Sequence, residues 1–99
     1  HEHPLMQSTT LWSETIDWVA GEMQIPETGF RCTSRTRYRQ DDQDCVIFND
    51  PTTPGGVRVE FDEPQRAVTP GQSVVFYSGE VCLGGGVIHH TNAPKPDFI

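Results

Sequence analysis

Arginines at positions 31, 35, 37 and 39 lie in the run RCTSRTRYRQ and are most of the chain's 7 basic residues. In an extended strand, residues two apart share a face. These arginines and Thr33 then project one way, while Cys32, Ser34, Thr36 and Tyr38 project the other. Guanidiniums crowded on one face repel each other unless anions neutralise them. The anions could be the chain's own aspartates and glutamates, or RNA phosphates, which suit the guanidinium fork. Tyr38, between Arg37 and Arg39, adds an aromatic platform beside charge, as RNA-binding surfaces often do.

The other reactive residue types form no complete site. Cys32, Cys45 and Cys82 contain no CxxC pair and are an odd count of 3. They read as reduced, buried or half-buried thiols in a reducing compartment. Cys82, between Val81 and Leu83, is expected to be buried and inert. Cys32 has Arg31 beside it, but no base is near to make it a nucleophile. His1 and His3 stand near one end and His89 and His90 near the other, without ligands spaced to close a metal site. Asp41, Asp42 and Asp44 crowd one turn but lack the Gly and Glu of a calcium loop. They read as a solvated turn that balances the arginines. Gly84, Gly85 and Gly86 follow no phosphate-loop pattern and predict a bulge, a tight bend or a close backbone approach.

Short elements separated by turns must position these groups. Gly and Pro total 17 residues, and no stretch shows a sustained helical period. Strands are predicted over residues 10–19, 30–39, 45–48, 57–61, 72–77 and 81–88, with a short element at 65–68. Within 57–61, Val57, Val59 and Phe61 alternate with Arg58 and Glu60, the mark of a half-buried strand. Thr69-Pro70-Gly71 and Ser78-Gly79-Glu80 are turns, and residues 89–99 are expected to be a frayed tail. The pattern predicts an all-β fold, a small six-stranded antiparallel barrel, preferred over a sandwich because closure removes exposed edges.

Bulk properties bound the function. A chain of 99 residues is one domain, with about two-thirds of its surface buried on folding. A net charge of −7 argues against a protein gripping nucleic acid over its whole surface, but leaves room for one basic stripe. No apolar run approaches membrane-spanning length, and the N-terminal residues lack a secretory signal pattern. The chain opens at His1 with its first Met at Met6, so it reads as a piece of a longer protein.

The motifs RCTSRTRYRQ, AVTPGQSVVFY and GEVCLGGGVI, in that order, resemble the C-terminal domain of the tRNA-specific 2-thiouridylase (MnmA/TrmU) family. HEHPLMQSTTLWSETIDWV resembles that family's exit from its central domain, and the likeness covers about residues 1–90. The resemblance implies residues 1–8 as linker, 9–90 as a β-barrel of the aminomethyltransferase and translation-factor kind, and 91–99 as a tail. It implies a parent enzyme that replaces the 2-oxygen of the wobble uridine with sulphur in tRNAs for Lys, Glu and Gln. Uridine activation would use ATP with Mg, and a sulphur-relay protein would charge a cysteine persulfide. Those catalytic parts belong to a PP-loop domain, so this chain is expected to be inactive alone and to carry no cofactor. The family is cytosolic in bacteria and mitochondrial in eukaryotes. Its tRNA contacts carry over to Arg37, Tyr38 and Gln72, with Arg35 and Arg39 as further RNA contacts. Strict alternation sets Arg37 and Tyr38 on opposite faces, so the strand is expected to twist, end or bulge near Tyr38. The alternative function is an interdomain or protein-binding barrel that supports a catalytic domain without touching RNA.

Overall fold

The computed structural model describes residues 7–37 and 40–93. Tyr38, Arg39, His1, His3 and most of the predicted linker and tail lie outside the described residues. The strands are β1 (Gln7–Ser13), β2 (Asp17–Trp18), β3 (Phe30–Arg35), β4 (Gln43–Asn49), β5 (Val57–Arg66), β6 (Ser73–Ser78) and β7 (Val81–Thr91). All pairings are antiparallel, in the order β1-β5-β4-β3-β6-β7-β2, and β1 also pairs with β7. Six strands thus close into a barrel, and β2 is an extra strand laid on β7. The predicted six-stranded barrel is the fold found.

Alternation fills the interior. Val57, Val59 and Phe61 of β5 meet Cys45 and Ile47 of β4, Val74 and Phe76 of β6, Leu11 of β1 and Ile88 of β7. Burying a side chain of this kind stabilises the fold by roughly 1.5–3 kcal/mol. Ser8, Ser13 and Ser34 are also fully buried, and the Ser13 hydroxyl accepts a hydrogen bond from the Val57 amide at 3.0 Å.

Several predicted boundaries are corrected. The strand expected over residues 10–19 breaks at a corner, because the loop before β5 captures residues 15 and 16. The Ile16 amide donates to the Gly55 carbonyl at 2.9 Å, and the Thr15 hydroxyl to the Pro54 carbonyl at 2.8 Å. The elements expected at 57–61 and 65–68 are one strand through Arg66, with a register shift against β1 that accommodates Pro64. β7 runs past Ile88 to Thr91, since Leu11 and Trp12 pair with Thr91 and His90. The Asn92 carboxamide oxygen then accepts from the Thr9 and Thr10 amides at 3.0 and 3.1 Å, fastening the end of β7 to β1.

Cys82 is exposed, against expectation. Phe76 pairs with Gly84, but Tyr77 pairs with Cys82, so Leu83 is an extra residue in β7. That bulge flips the alternation and puts Cys82 on the outer face opposite Tyr77.

The glycine triplet serves close approach. A Cβ on Gly84 (φ 155°) would strike the Asp17 carbonyl oxygen and lie 2.9 Å from Trp18 Cα. The missing side chain lets β2 lie on β7, so that Trp18 stacks on buried Phe76 at 5.9 Å between ring centroids. Gly84→Ala is expected to destabilise the fold by about 1–3 kcal/mol, as overpacking against backbone does. The midpoint of urea unfolding checks this, and an unchanged midpoint would show that β2 can lift away freely.

Candidate nucleic-acid interface

Three of the predicted site residues lie together on the outside of the barrel. Arg35, Thr36, Arg37, Gln72, Ser73, Val75 and Tyr77 line one open groove of about 660 Å³. β3 supplies Arg35, the loop after it supplies Arg37, and the turn into β6 supplies Gln72. β3 and β6 pair directly, with Thr33 opposite Tyr77 and Arg35 opposite Val75.

β3 ends at Arg35, short of the predicted residue 39, while Tyr38 itself lies outside the described residues. A competing set of hydrogen bonds ends the strand. The Gln40 carboxamide oxygen accepts from the Thr36 amide at 2.8 Å, and the Gln40 amide donates to the Arg37 carbonyl at 3.3 Å. The Gln40 side chain also donates to Gln65 at 3.2 Å, and Gln65 donates to Gln43 at 3.0 Å. Gln40 within the loop, bonded to Gln65 of β5, thus holds the Arg37 turn against β5. Once the chain leaves the strand, strict two-residue alternation no longer governs it.

The arginine row is neutralised largely from within. Arg31 donates to Asp62 at 2.9 Å, and Arg35 Nε donates to Asp42 at 2.5 Å. Each hydrogen bond pushes its guanidinium's pKa up and fixes the charge there. The acidic turn therefore balances an arginine, as predicted, while Asp62 of β5 is a partner the spacing did not reveal. Arg37 is exposed and has no acidic partner among the described residues. Of the two arginines lining this groove, Arg35 is ion-paired and Arg37 is not, among the described residues.

Gln72 has a structural task as well. Its carboxamide oxygen accepts from the Thr69 amide at 3.3 Å and its nitrogen donates to the Ala67 carbonyl at 3.4 Å. These bonds brace the turn containing Gly71, whose φ of 93° suits glycine. One N–H and one lone pair remain for a ligand at the groove.

Tyr77 was not singled out in the sequence, yet it forms the groove's aromatic wall, with Arg35 Cζ 4.8 Å from its ring centroid. The signal was its position: it follows inward-facing Phe76, so it must point outward.

Two of the three cysteines lie inside the barrel. Cys32 and Cys45 are directly opposed and buried, with sulfurs 3.8 Å apart. The hydrogen bond with Cys45, and then burial, push the Cys32 thiol far above its ordinary range. No group of His, Cys, Asp or Glu among the described residues is placed to hold a metal. A second cavity, of about 540 Å³ between β2 and the loop before β5, is lined by Ile16, Trp18, Met23, Ile25 and Val57 and brings no base to a nucleophile. A brief iodoacetamide pulse on the folded chain should label Cys82 and spare Cys32 and Cys45. Peptide mapping reads this, and equal labelling of all thiols would contradict the buried pair.

The fold is a closed six-stranded antiparallel barrel with one extra strand laid on it. The chain belongs to the family described as the aminomethyltransferase β-barrel domain, whose model matches residues 8–88. It is 77% identical over 99 residues to the tRNA-specific 2-thiouridylase MnmA of Acinetobacter baumannii strain SDF, matching all of this chain and 26% of that protein. It is 76% identical to the MnmA of Acinetobacter baylyi, again over all of this chain and 26% of that protein. The likeness to the MnmA of Marinobacter nauticus is 62% over 89 residues, or 90% of this chain and 21% of that protein. The chain thus spans about a quarter of the first two relatives and about a fifth of the third.

Proposed function

We propose that this barrel is the tRNA-binding C-terminal domain of a tRNA-specific 2-thiouridylase. The observation that carries the reading is Arg37: an exposed guanidinium without an acidic partner among the described residues, in one groove with Gln72. The names of its relatives supply the RNA class. In this reading Arg37 meets a phosphate, Gln72 hydrogen-bonds the RNA at the groove's rim, and Tyr38 adds a contact inferred from its motif. Arg35 of the same groove is a further RNA contact, and Arg39 is one inferred from its motif.

The remaining assignments rest on family resemblance. The parent enzyme thiolates the wobble uridine of tRNAs for Lys, Glu and Gln in the bacterial cytoplasm. It uses ATP with Mg and a sulphur-relay partner, and its catalytic groups lie in other domains, so this chain alone is inactive. A net charge of −7 makes the isolated barrel a weak RNA binder that depends on those domains for most of its phosphate contacts.

One observation favours a second role, as an interdomain support. Val19 and Val81 are 72% and 65% exposed and line an apolar groove with Trp18 and Leu83, a surface suited to another domain. Both roles fit one barrel, since the two grooves share no residue.

Arg37→Ala in the full-length enzyme should weaken tRNA binding and lower the slope of log K against log salt by about one phosphate contact. Fluorescence anisotropy across a salt series measures both. Wild-type affinity with a wild-type slope would reject the groove as a tRNA site.

A further inference from the structure

We infer that Arg35, laid on Tyr77 and pinned by Asp42, is a stacking shelf for one unpaired base of the RNA, with the adjacent phosphate reaching Arg37. The inference rests on the tRNA-binding reading of this groove. It assigns Arg35 and Tyr77 a different kind of contact from Arg37.

The geometry separates the two arginines. Arg35 is committed electrostatically: its Nε donates to Asp42, and the Thr33 hydroxyl steadies that carboxylate from 3.4 Å. A guanidinium so paired adds little attraction for a phosphate. Its plane is another matter. Arg35 Cζ sits 4.8 Å from the Tyr77 ring centroid, and the side chain is still 43% exposed. A guanidinium held against an aromatic ring on one side can take a nucleobase on the other, since Arg planes and aromatic rings both stack on bases. Asp42 contributes by orientation, because a pinned guanidinium loses less freedom when a base arrives.

The groove fits this ligand. Val75 and Tyr77 give it an apolar wall, while Thr36, Gln72 and Ser73 offer hydrogen-bonding groups at the edge. Arg37 is next but one to Arg35 and lines the same groove. Stacking accepts any base because every base has a π-face. The shelf therefore adds affinity and position without reading sequence.

The test uses the full-length enzyme and an unmodified tRNA(Glu) transcript, with affinity measured across a salt series. Arg35→Lys keeps the charge and removes the plane. It should weaken binding about five-fold or more, the lower end of what one stacked base contributes, with the salt slope unchanged. Tyr77→Leu should follow Arg35→Lys, and Tyr77→Phe should bind like wild type. Arg37→Lys should stay near wild type, because a phosphate accepts either cation. If Arg35→Lys binds like wild type while Arg37→Ala is weakened, the shelf is wrong and the phosphate contact stands. If Arg35→Lys loses about one unit of slope with its affinity, Arg35 is a phosphate contact and the shelf is again wrong. If neither Arg35→Lys nor Arg37→Ala changes binding, the tRNA reading of the groove fails with it. Should Tyr77→Leu unfold, Arg35→Lys on the exposed face decides alone.

Discussion

Closure of the sheet between β1 and β7 is the constraint on which the rest depends. The two strands are about as far apart in sequence as the described residues allow, and they meet through Leu11–Thr91, Trp12–His90 and Ser13–Ile88. Asn92 extends the seam by accepting two amides of β1. An open sheet of this length would leave two edges and half-cover its apolar face. Once closed, the inward residues of all six barrel strands share one interior, where Leu11, Ile47, Val59, Val74, Phe76 and Ile88 lose essentially all contact with water. The cost is local. β7 must bend to reach both β6 and β1 while carrying β2, and it does so through the extra residue Leu83 and the side-chain-free Gly84.

That bend has consequences for chemistry. The same bulge that lets β7 turn takes Cys82 out of the core and sets it on the surface. The cysteines left inside, Cys32 and Cys45, face each other in the core, where the hydrogen bond with Cys45 and then burial push the Cys32 thiol up. The groups of this barrel open to solvent are therefore Cys82 and the polar side chains on its outside.

On that outer face the arrangement divides labour. Internal carboxylates absorb Arg31 and Arg35, which removes the repulsion a bare arginine row would suffer. The glutamine chain from Gln40 through Gln65 to Gln43 ends β3 and holds the turn carrying Arg37. A net-acidic domain can in this way carry a small cationic spot on one side.

Much of the fold was legible from period and punctuation. Alternating Val57, Val59 and Phe61, the turns at Pro70-Gly71 and Ser78-Gly79, and the absence of helical period together specify short strands and a closed β fold. The arginine run marked the candidate surface for the same reason: identical charges two residues apart share a face. Three things were decided by tertiary structure alone. The end of β3 came from Gln40 and Gln65, 25 residues apart, bonding across the barrel wall. The side of the sheet on which Cys82 lies came from a single-residue register shift against β6. The partners of Arg31, Arg35 and Tyr77 came from strand order, because β3 lies beside β6 and, across β4, within reach of Asp62 on β5. Local pattern sets which way a side chain points. What it meets there depends on pairing between distant segments, and that is an energy of the whole closed sheet.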